Sequence, residues 1–181
     1  DVEAQQANDD TFHYVNACAQ HSRLNQGKQL WQGLENYILD SARTHGFKAC
    51  VFTGPILRPA DSDEEEIELD GAIAPLEFWK VVATLSEDGK ALHATAYILS
   101  QGQLIRQLLE KRSRRESLEG VVLGEYRTFQ VAVSDLAEAT GYNFGPYVNA
   151  DPLRQSVSGA EAITQGEPVF LPINDVADVV L

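Results

Sequence analysis

The architecture of this chain is set by FWKVVATLSEDGKALHATAYIL, residues 78–99. The stretch contains two runs rich in β-branched and aromatic residues, Phe78–Leu85 and Leu92–Leu99, which favour strands. The short segment 87–89 (EDG) between them contains the Asp-Gly pair that is typical of a tight turn between antiparallel strands. The stretch therefore predicts a β-hairpin, and no other hairpin signal in the chain is as strong.

The segments outside this hairpin predict a mixture of strands and helices. Strands are expected at Phe12–Asn16, at Ala49–Phe52 (stopped by Gly54-Pro55) and at Thr128–Val133. Helices are expected at Gln29–Arg43, where apolar residues recur at helical spacing, at Gln101–Arg115, and in a short segment between an N-cap at Ser134 and Gly141. The acidic run Asp61–Asp70 predicts a solvated loop, and the part after Tyr142, including residues 146–181, is expected to wrap the surface irregularly.

Length and composition favour one soluble domain covering residues 1–181. The chain is 44% hydrophobic but has no run of about 20 apolar residues, so no membrane span is expected. The N-terminus lacks the basic and apolar regions of a signal peptide, and the chain contains no Met. These features suggest a mature or processed fragment, with a deliberately chosen fragment as the alternative.

The net charge of −13 argues against a protein that coats nucleic acid. A local basic groove remains compatible with this average, because positive charge is concentrated at Lys111, Arg112, Arg114 and Arg115. These side chains either complement a helix C-terminus or form a patch that contacts phosphates. Both interpretations stay open at this point.

Cysteines and histidines show no metal-binding pattern. Cys18 and Cys50 are too few for a Cys-based zinc site, and they could form one bridge or remain two buried free thiols. The four histidines (His13, His21, His45 and His93) lack the spacing of metal ligands.

An oxygen-based site is conceivable around Asn25 and Glu35. Mg²⁺ accepts a neutral carbonyl oxygen while keeping several waters, and a nearby carboxylate can orient those waters. On a continuous helix the two residues would stand roughly 15 Å apart, so sharing one ion requires Gln26-Gly27 to be a loop. The alternative is that Asn25 caps a helix and Glu35 is solvated.

Four sequence blocks, in this order, resemble the DNA/RNA non-specific endonucleases of the ββα-metal, or His-Me finger, superfamily. The blocks are YVNACAQ, LNQGKQLWQGLENY, VFTGPIL and PLEFWKVV, and FQVAVSDLAEATG is similar to the closing strand and helix of the family. The resemblance covers about residues 9–145. It implies an α+β fold with a central antiparallel sheet flanked by helices, of which this chain would hold the C-terminal part.

The resemblance also implies roles for individual residues. Asn25 matches the single protein ligand of a hydrated Mg²⁺ or Mn²⁺, and Glu35 matches the glutamate that binds the water shell of the metal. Asn16 matches an asparagine at the catalytic centre, and Gln20 closes the same block. Gln20 is also a weak candidate for substrate contacts, and so are Arg112, Arg114 and Arg115, the arginines because of their positive charge rather than the resemblance. Matches of structural type are Trp31, Leu34, Thr53, Gly54, Pro55, Trp79 and Val81, with Lys80 less certain.

The chain also departs from the family pattern. The family's general base is a histidine in an Asp-Arg-Gly-His motif, which this sequence lacks. Two residues are inserted between Asn25 and Trp31, Leu39 replaces an arginine, and Ala17-Cys18-Ala19 stands where a small residue and a Pro are usual.

The implied activity is hydrolysis of phosphodiester bonds in DNA and RNA, with the histidine expected on a second, N-terminal polypeptide and little activity in this chain alone. The alternatives are a catalytically inactive nuclease-fold protein that binds nucleic acid or another protein, and a structural or inhibitor domain. Kinship suggests a secreted or periplasmic location.

Overall fold

The predicted hairpin lies at the centre of an antiparallel sheet. The computed structural model describes residues 2–11, 18–20, 31–45, 48–57, 67–69, 71–86, 88–102, 127–153 and 170–173. Its elements are α1 Val2–Asp10, α2 Trp31–His45, β1 Ala49–Ile56, β2 Ile67–Leu69, β3 Ala72–Ala74, β4 Glu77–Leu85, β5 Leu92–Ser100, β6 Arg127–Val131, α3 Val133–Thr140, a 3-10 helix Gly145–Val148 and β7 Phe170–Ile173.

Strands β4 and β5 form the hairpin, paired from Glu77 opposite Ser100 to Leu85 opposite Leu92. At the turn, the Gly89 N–H donates to the Ser86 carbonyl at 2.8 Å, and Gly89 has a φ of 70°, which glycine adopts without strain. The hairpin prediction is confirmed. The five-stranded sheet has the order β1-β4-β5-β6-β7 with every neighbouring pair antiparallel, so the predicted α+β class with a central antiparallel sheet is confirmed as well.

Helices cover both faces of this sheet, which explains why the central strands are buried along nearly their whole length. Side chains alternate between the faces of a strand. One face packs against α3 through an apolar cluster (Ile56, Trp79, Val81, Ala94, Ala96, Ile98, Val131, Val133, Leu136 and Phe144). The other face packs against α2, where Leu34 and Ile38 meet Val82 and Tyr97.

Helix α2 agrees with the sequence prediction over most of its length. Leu34 and Ile38, four residues apart, lie on one side of the helix and are buried. The predicted start at Gln29 lies outside the described residues, which resume at Trp31. The apolar stripe therefore anchors the helix on the sheet and fixes the orientation of its neighbouring residues.

Strand β1 is longer than predicted. It continues through Gly54 and Pro55 to Ile56, so the prediction that Gly54-Pro55 stops the strand is wrong. Pro55 is tolerated because β1 stands at the end of the strand order, where ladder hydrogen bonds are needed on one side only.

The two cysteines are free thiols, and both are exposed, Cys50 on β1 and Cys18 in the segment 18–20. The expectation that free cysteines would be buried is wrong.

Helix α3 ends at Gly141 (φ 70°), as predicted, but its start differs from the prediction. The N-cap residue is Ala132, without a side-chain cap, rather than Ser134. The Val133 N–H instead donates to the Asp151 carboxylate at 2.8 Å, and the other oxygen of Asp151 accepts from the Leu153 N–H at 2.9 Å. A buried carboxylate from a later segment therefore replaces the local cap.

Two further expectations are corrected in part. The C-terminal tail is not entirely irregular, since β7 (Phe170–Ile173) pairs with β6 and extends the sheet, and Gly145–Val148 form a 3-10 helix. The acidic run ends in β2, where Ile67 is buried because it packs with Ala74 and Leu76. The predicted strand Phe12–Asn16 and all but the first two residues of the predicted helix 101–115 lie outside the described residues.

Candidate functional site

Glu35 lies on α2 at the border between its buried and its exposed side. The preceding residue, Leu34, is in the interface with the sheet, and one residue further along a helix turns the side chain by about 100°. The Glu35 side chain is accordingly 45% exposed. It can therefore contact the sheet and solvent at the same time.

Lys80 is the partner of Glu35 on the sheet. It interrupts the apolar run of β4, and it is only 1% exposed. Its Nζ donates to Glu35 Oε1 at 2.8 Å. A buried ammonium group is costly without an anionic or hydrogen-bonding partner, so the pair satisfies a charge that the strand carries into the interior.

Lys80 belongs to a row of polar side chains that crosses the α2 face. In register across neighbouring strands stand Thr53, Lys80, Tyr97 and Gln130. Tyr97 is 2% exposed and Gln130 is fully buried. Burial of the phenol raises the pKa of Tyr97 to about 12, so this hydroxyl is neutral at physiological pH. The row thus runs from the exposed Thr53 on β1 to three buried polar side chains, of which Lys80 is the cation.

Within the described residues, Glu35 has a hydrogen-bond partner for one of its two carboxylate oxygens. Lys80 holds Oε1, and Oε2 makes no hydrogen bond to any residue within the described part of the chain. A half-exposed carboxylate with one oxygen anchored is compatible with a group that accepts hydrogen bonds from metal-bound water. The role that the family resemblance implies for Glu35 stays a prediction.

The segment that contains Gln20 contacts the open end of the β4–β5 hairpin, where β4 begins and β5 ends. Gln101, which follows β5 and is 1% exposed, donates from Nε2 to the Pro75 carbonyl at 2.6 Å and to the Ala19 carbonyl at 3.3 Å. Its backbone N–H donates to the Leu76 carbonyl at 2.7 Å. Gln20, beside Ala19, is half-buried. Two of the four sequence blocks thus meet through Gln101.

The Thr-Gly-Pro block is joined to the Trp-Lys block by direct contacts. The Thr53 hydroxyl donates to the Trp79 carbonyl at 2.8 Å. A Cβ at Gly54 would lie 3.1 Å from the Trp79 indole, so glycine allows the ring to approach the strand. The indole also makes an edge contact with Phe144, with ring centroids 5.4 Å apart. The block therefore packs β1 against the strand that carries Lys80.

The structure describes two of the sequence-predicted site residues, Glu35 and Gln20, while Asn16, Asn25 and the three arginines lie outside the described residues. In the described ranges no three or more His, Cys, Asp or Glu side chains are grouped as metal ligands, and none of the helices described could span a membrane. The sequence did not predict the contact between Lys80 and Glu35. The signal for this contact was a lysine inside the otherwise apolar run FWKVVATL.

Comparison with known proteins identifies one family and one relative. A family model described as DNA/RNA non-specific endonuclease matches residues 1–151. An uncharacterized protein, y4fB of Sinorhizobium fredii (strain NBRC 101917 / NGR234), is 36% identical over 146 residues, which are 78% of this chain and 20% of that protein. The chain thus spans about one fifth of the curated relative. No solved structure matches.

Proposed function

The chain belongs to the DNA/RNA non-specific endonuclease family, and on that premise we propose that it carries the metal-binding half of a His-Me finger nuclease site. The reaction is hydrolysis of phosphodiester bonds in DNA and RNA. Membership of a nuclease family supports nucleic acid as the substrate, and the proposal adds the metal and the division of the site.

The observation that carries this proposal is the state of Glu35. A solvated glutamate on a helix surface would have no fixed partner, whereas Glu35 is bound at 2.8 Å by a lysine that is itself buried. A carboxylate held in this way can orient water in one direction. Its sequence position matches that of the family glutamate that binds the metal's water shell.

Asn25 and Glu35 are the residues that would hold the metal, Asn25 directly and Glu35 through water. When bound, Mg²⁺ or Mn²⁺ supplies positive charge that stabilises the charge developing on the phosphate and the leaving oxygen. Asn16 shapes the centre beside it, and Gln20 together with Arg112, Arg114 and Arg115 contacts substrate. Because the family reads the nucleic-acid backbone rather than base edges, cleavage would show little sequence preference.

The general base is the part of the site that this sequence does not contain. In the proposed enzyme a histidine of an Asp-Arg-Gly-His motif, carried by another polypeptide segment, removes a proton from the attacking water. A general base contributes about 10²- to 10⁴-fold in rate, so this chain alone would cleave slowly. Such an enzyme would act in a secreted or periplasmic setting.

A second candidate function is binding of nucleic acid or protein without cleavage. The absence of the Asp-Arg-Gly-His motif from the sequence favours it. The two candidates differ in one measurable property, which is the metal-dependent cutting of a phosphodiester chain.

The test is cleavage of supercoiled plasmid by native material with Mg²⁺, with Mn²⁺ and with a chelator. Outer-shell residues of metal sites are worth about 10- to 100-fold in activity, and we expect Asn25→Ala, which removes the direct ligand, to cost at least as much. Asn36→Ala is the matched control, since Asn36 is exposed on α2. Uncut plasmid with material that contains both polypeptides would refute the enzyme, and full activity of the Asn25→Ala variant would refute the metal ligand. Mass spectrometry of the same material shows whether a second polypeptide is present.

A further inference from the structure

We propose that Lys80 is a positioning residue of this site: it holds one oxygen of Glu35 so that the other is directed toward the water shell of the metal. The inference rests on the proposed function and assigns a role to a residue whose importance the sequence left uncertain. It concerns the orientation of Glu35 and adds no new ligand.

Lys80 is suited to this role because it cannot easily move. It lies in β4 between two paired strands, opposite Thr53 on one side and Tyr97 on the other. Its side chain is 2% exposed, so neighbouring atoms restrict its rotamers. A hydrogen bond from such a donor transfers the rigidity of the sheet to the acceptor.

Glu35 needs such a constraint. Its side chain is 45% exposed, and a free glutamate at a helix surface samples several rotamers. The bond of 2.8 Å to Oε1 selects the rotamers that point Glu35 across the sheet surface. This leaves Oε2 as the oxygen that can accept from metal-bound water.

A purely structural role would be better served by an apolar residue. The α2 face around Lys80 contains Val82, Leu34 and Ile38, and replacing a buried ion pair by apolar residues of similar volume is often neutral or stabilising. Packing stability alone therefore does not explain why an ammonium group stands at this position. Its binding to the half-exposed carboxylate of Glu35 provides the explanation.

The experiment measures Mn²⁺ binding by the full chain, using the EPR signal of free Mn²⁺, for wild type, Asn25→Ala, Glu35→Gln, Lys80→Met and the double variant of Glu35→Gln with Lys80→Met. We expect Glu35→Gln and Lys80→Met each to weaken binding by about 10-fold, in line with other outer-shell residues. The double variant should be little weaker than Glu35→Gln alone, since Lys80 acts through Glu35. Lys90→Met is the control for the lost charge, because Lys90 is exposed on the hairpin turn.

Lys80→Arg separates position from charge. Arginine keeps the positive charge but presents a fork that engages both oxygens of a carboxylate, so binding should weaken here too. Thermal unfolding shows which variants are folded. If Lys80→Met does not fold, Lys80→Arg takes its place in the Mn²⁺-binding test.

The outcomes separate two failures. Unchanged or tighter Mn²⁺ binding by Lys80→Met, or an effect in the double variant equal to the sum of the two, would overturn the positioning role. Wild-type binding by both Glu35→Gln and Asn25→Ala would instead overturn the proposed metal site.

Discussion

The two faces of the central sheet are built from the same strands but have different interiors. On the α3 face, Trp79 and Val81 of β4 pack into a cluster of buried apolar residues. On the α2 face, Lys80 of the same strand stands in a row with Tyr97 and Gln130. Because adjacent residues of a strand point to opposite faces, β4 serves both purposes within three positions.

The difference between the apolar α3 face and the polar α2 face shows which side of the sheet gives up stability. Apolar burial contributes about 25 cal/mol per Å², whereas a buried ammonium group has to regain its lost hydration through its partners. The α3 face is stabilised by apolar burial. The α2 face contains buried polar groups, and their burial is costly. One of them, Lys80, binds the partly exposed Glu35, so the candidate site lies on this face.

The largest effect is expected on the apolar face. Leu136→Ala removes a fully buried side chain of α3 and leaves a cavity, which should lower the free energy of unfolding by about 2–5 kcal/mol. Chemical denaturation measures this loss. Mn²⁺ binding of the folded variant should match wild type, and a loss below about 1 kcal/mol would show that this face is not the principal core.

Asp151 tests whether the apolar face also depends on one polar group. Asp151→Ala leaves the buried N–H groups of Val133 and Leu153 without the carboxylate, and unsatisfied buried groups cost about 1–3 kcal/mol each. Ser134→Ala is the matched control and should change stability by less than about 0.5 kcal/mol. If Ser134→Ala were the more damaging in urea denaturation, the cap would be local after all.

The polar face should show an asymmetry between the two members of its ion pair. Glu35→Ala leaves the buried Lys80 ammonium without its carboxylate and should cost about 1–3 kcal/mol of unfolding free energy. Lys80→Met leaves only a half-exposed carboxylate that water can solvate, so its cost should be smaller. Denaturation of both variants measures the order, and the reverse order would mean that Lys80 contributes mainly to the core.

The smallest effect at neutral pH is expected for Tyr97→Phe. Burial raises the pKa of Tyr97 to about 12 from about 10 in the unfolded chain. The neutral phenol is thus favoured in the folded state: its contribution is complete below pH 10 and is lost as pH rises toward 12. Wild type should lose up to about 2–3 kcal/mol more than Tyr97→Phe over this range, as measured by denaturation at several pH values. Parallel pH profiles of the two proteins would show that Tyr97 ionises freely.

Patterns of local sequence predicted the central elements well. The hairpin was predictable because its turn residues and its two runs agree, and α2 because Leu34 and Ile38 repeat at helical spacing. Local cues failed where a distant group intervened. Ser134 is a good N-cap by type, but the helix start is capped by Asp151, which lies 18 residues after Val133.

The candidate site was predictable in part. Glu35 was identified from the resemblance of its block to a nuclease family, and the family model that matches residues 1–151 confirms the family. The roles of Asn16, Asn25, Gln20 and Glu35 stay predictions. Lys80 could not be assigned from sequence, because its partner lies 45 residues away and no local spacing links them.

The sequence by itself determined the hairpin, the helix that packs on it and the family, since each depends on residue types within a short span or on an ordered set of such spans. Only the folded chain brought Lys80 to Glu35 and Asp151 to Val133. The physical reason is that buried polar groups must find partners wherever the fold places them. Those partners are chosen by the packing of whole elements rather than by distance along the chain.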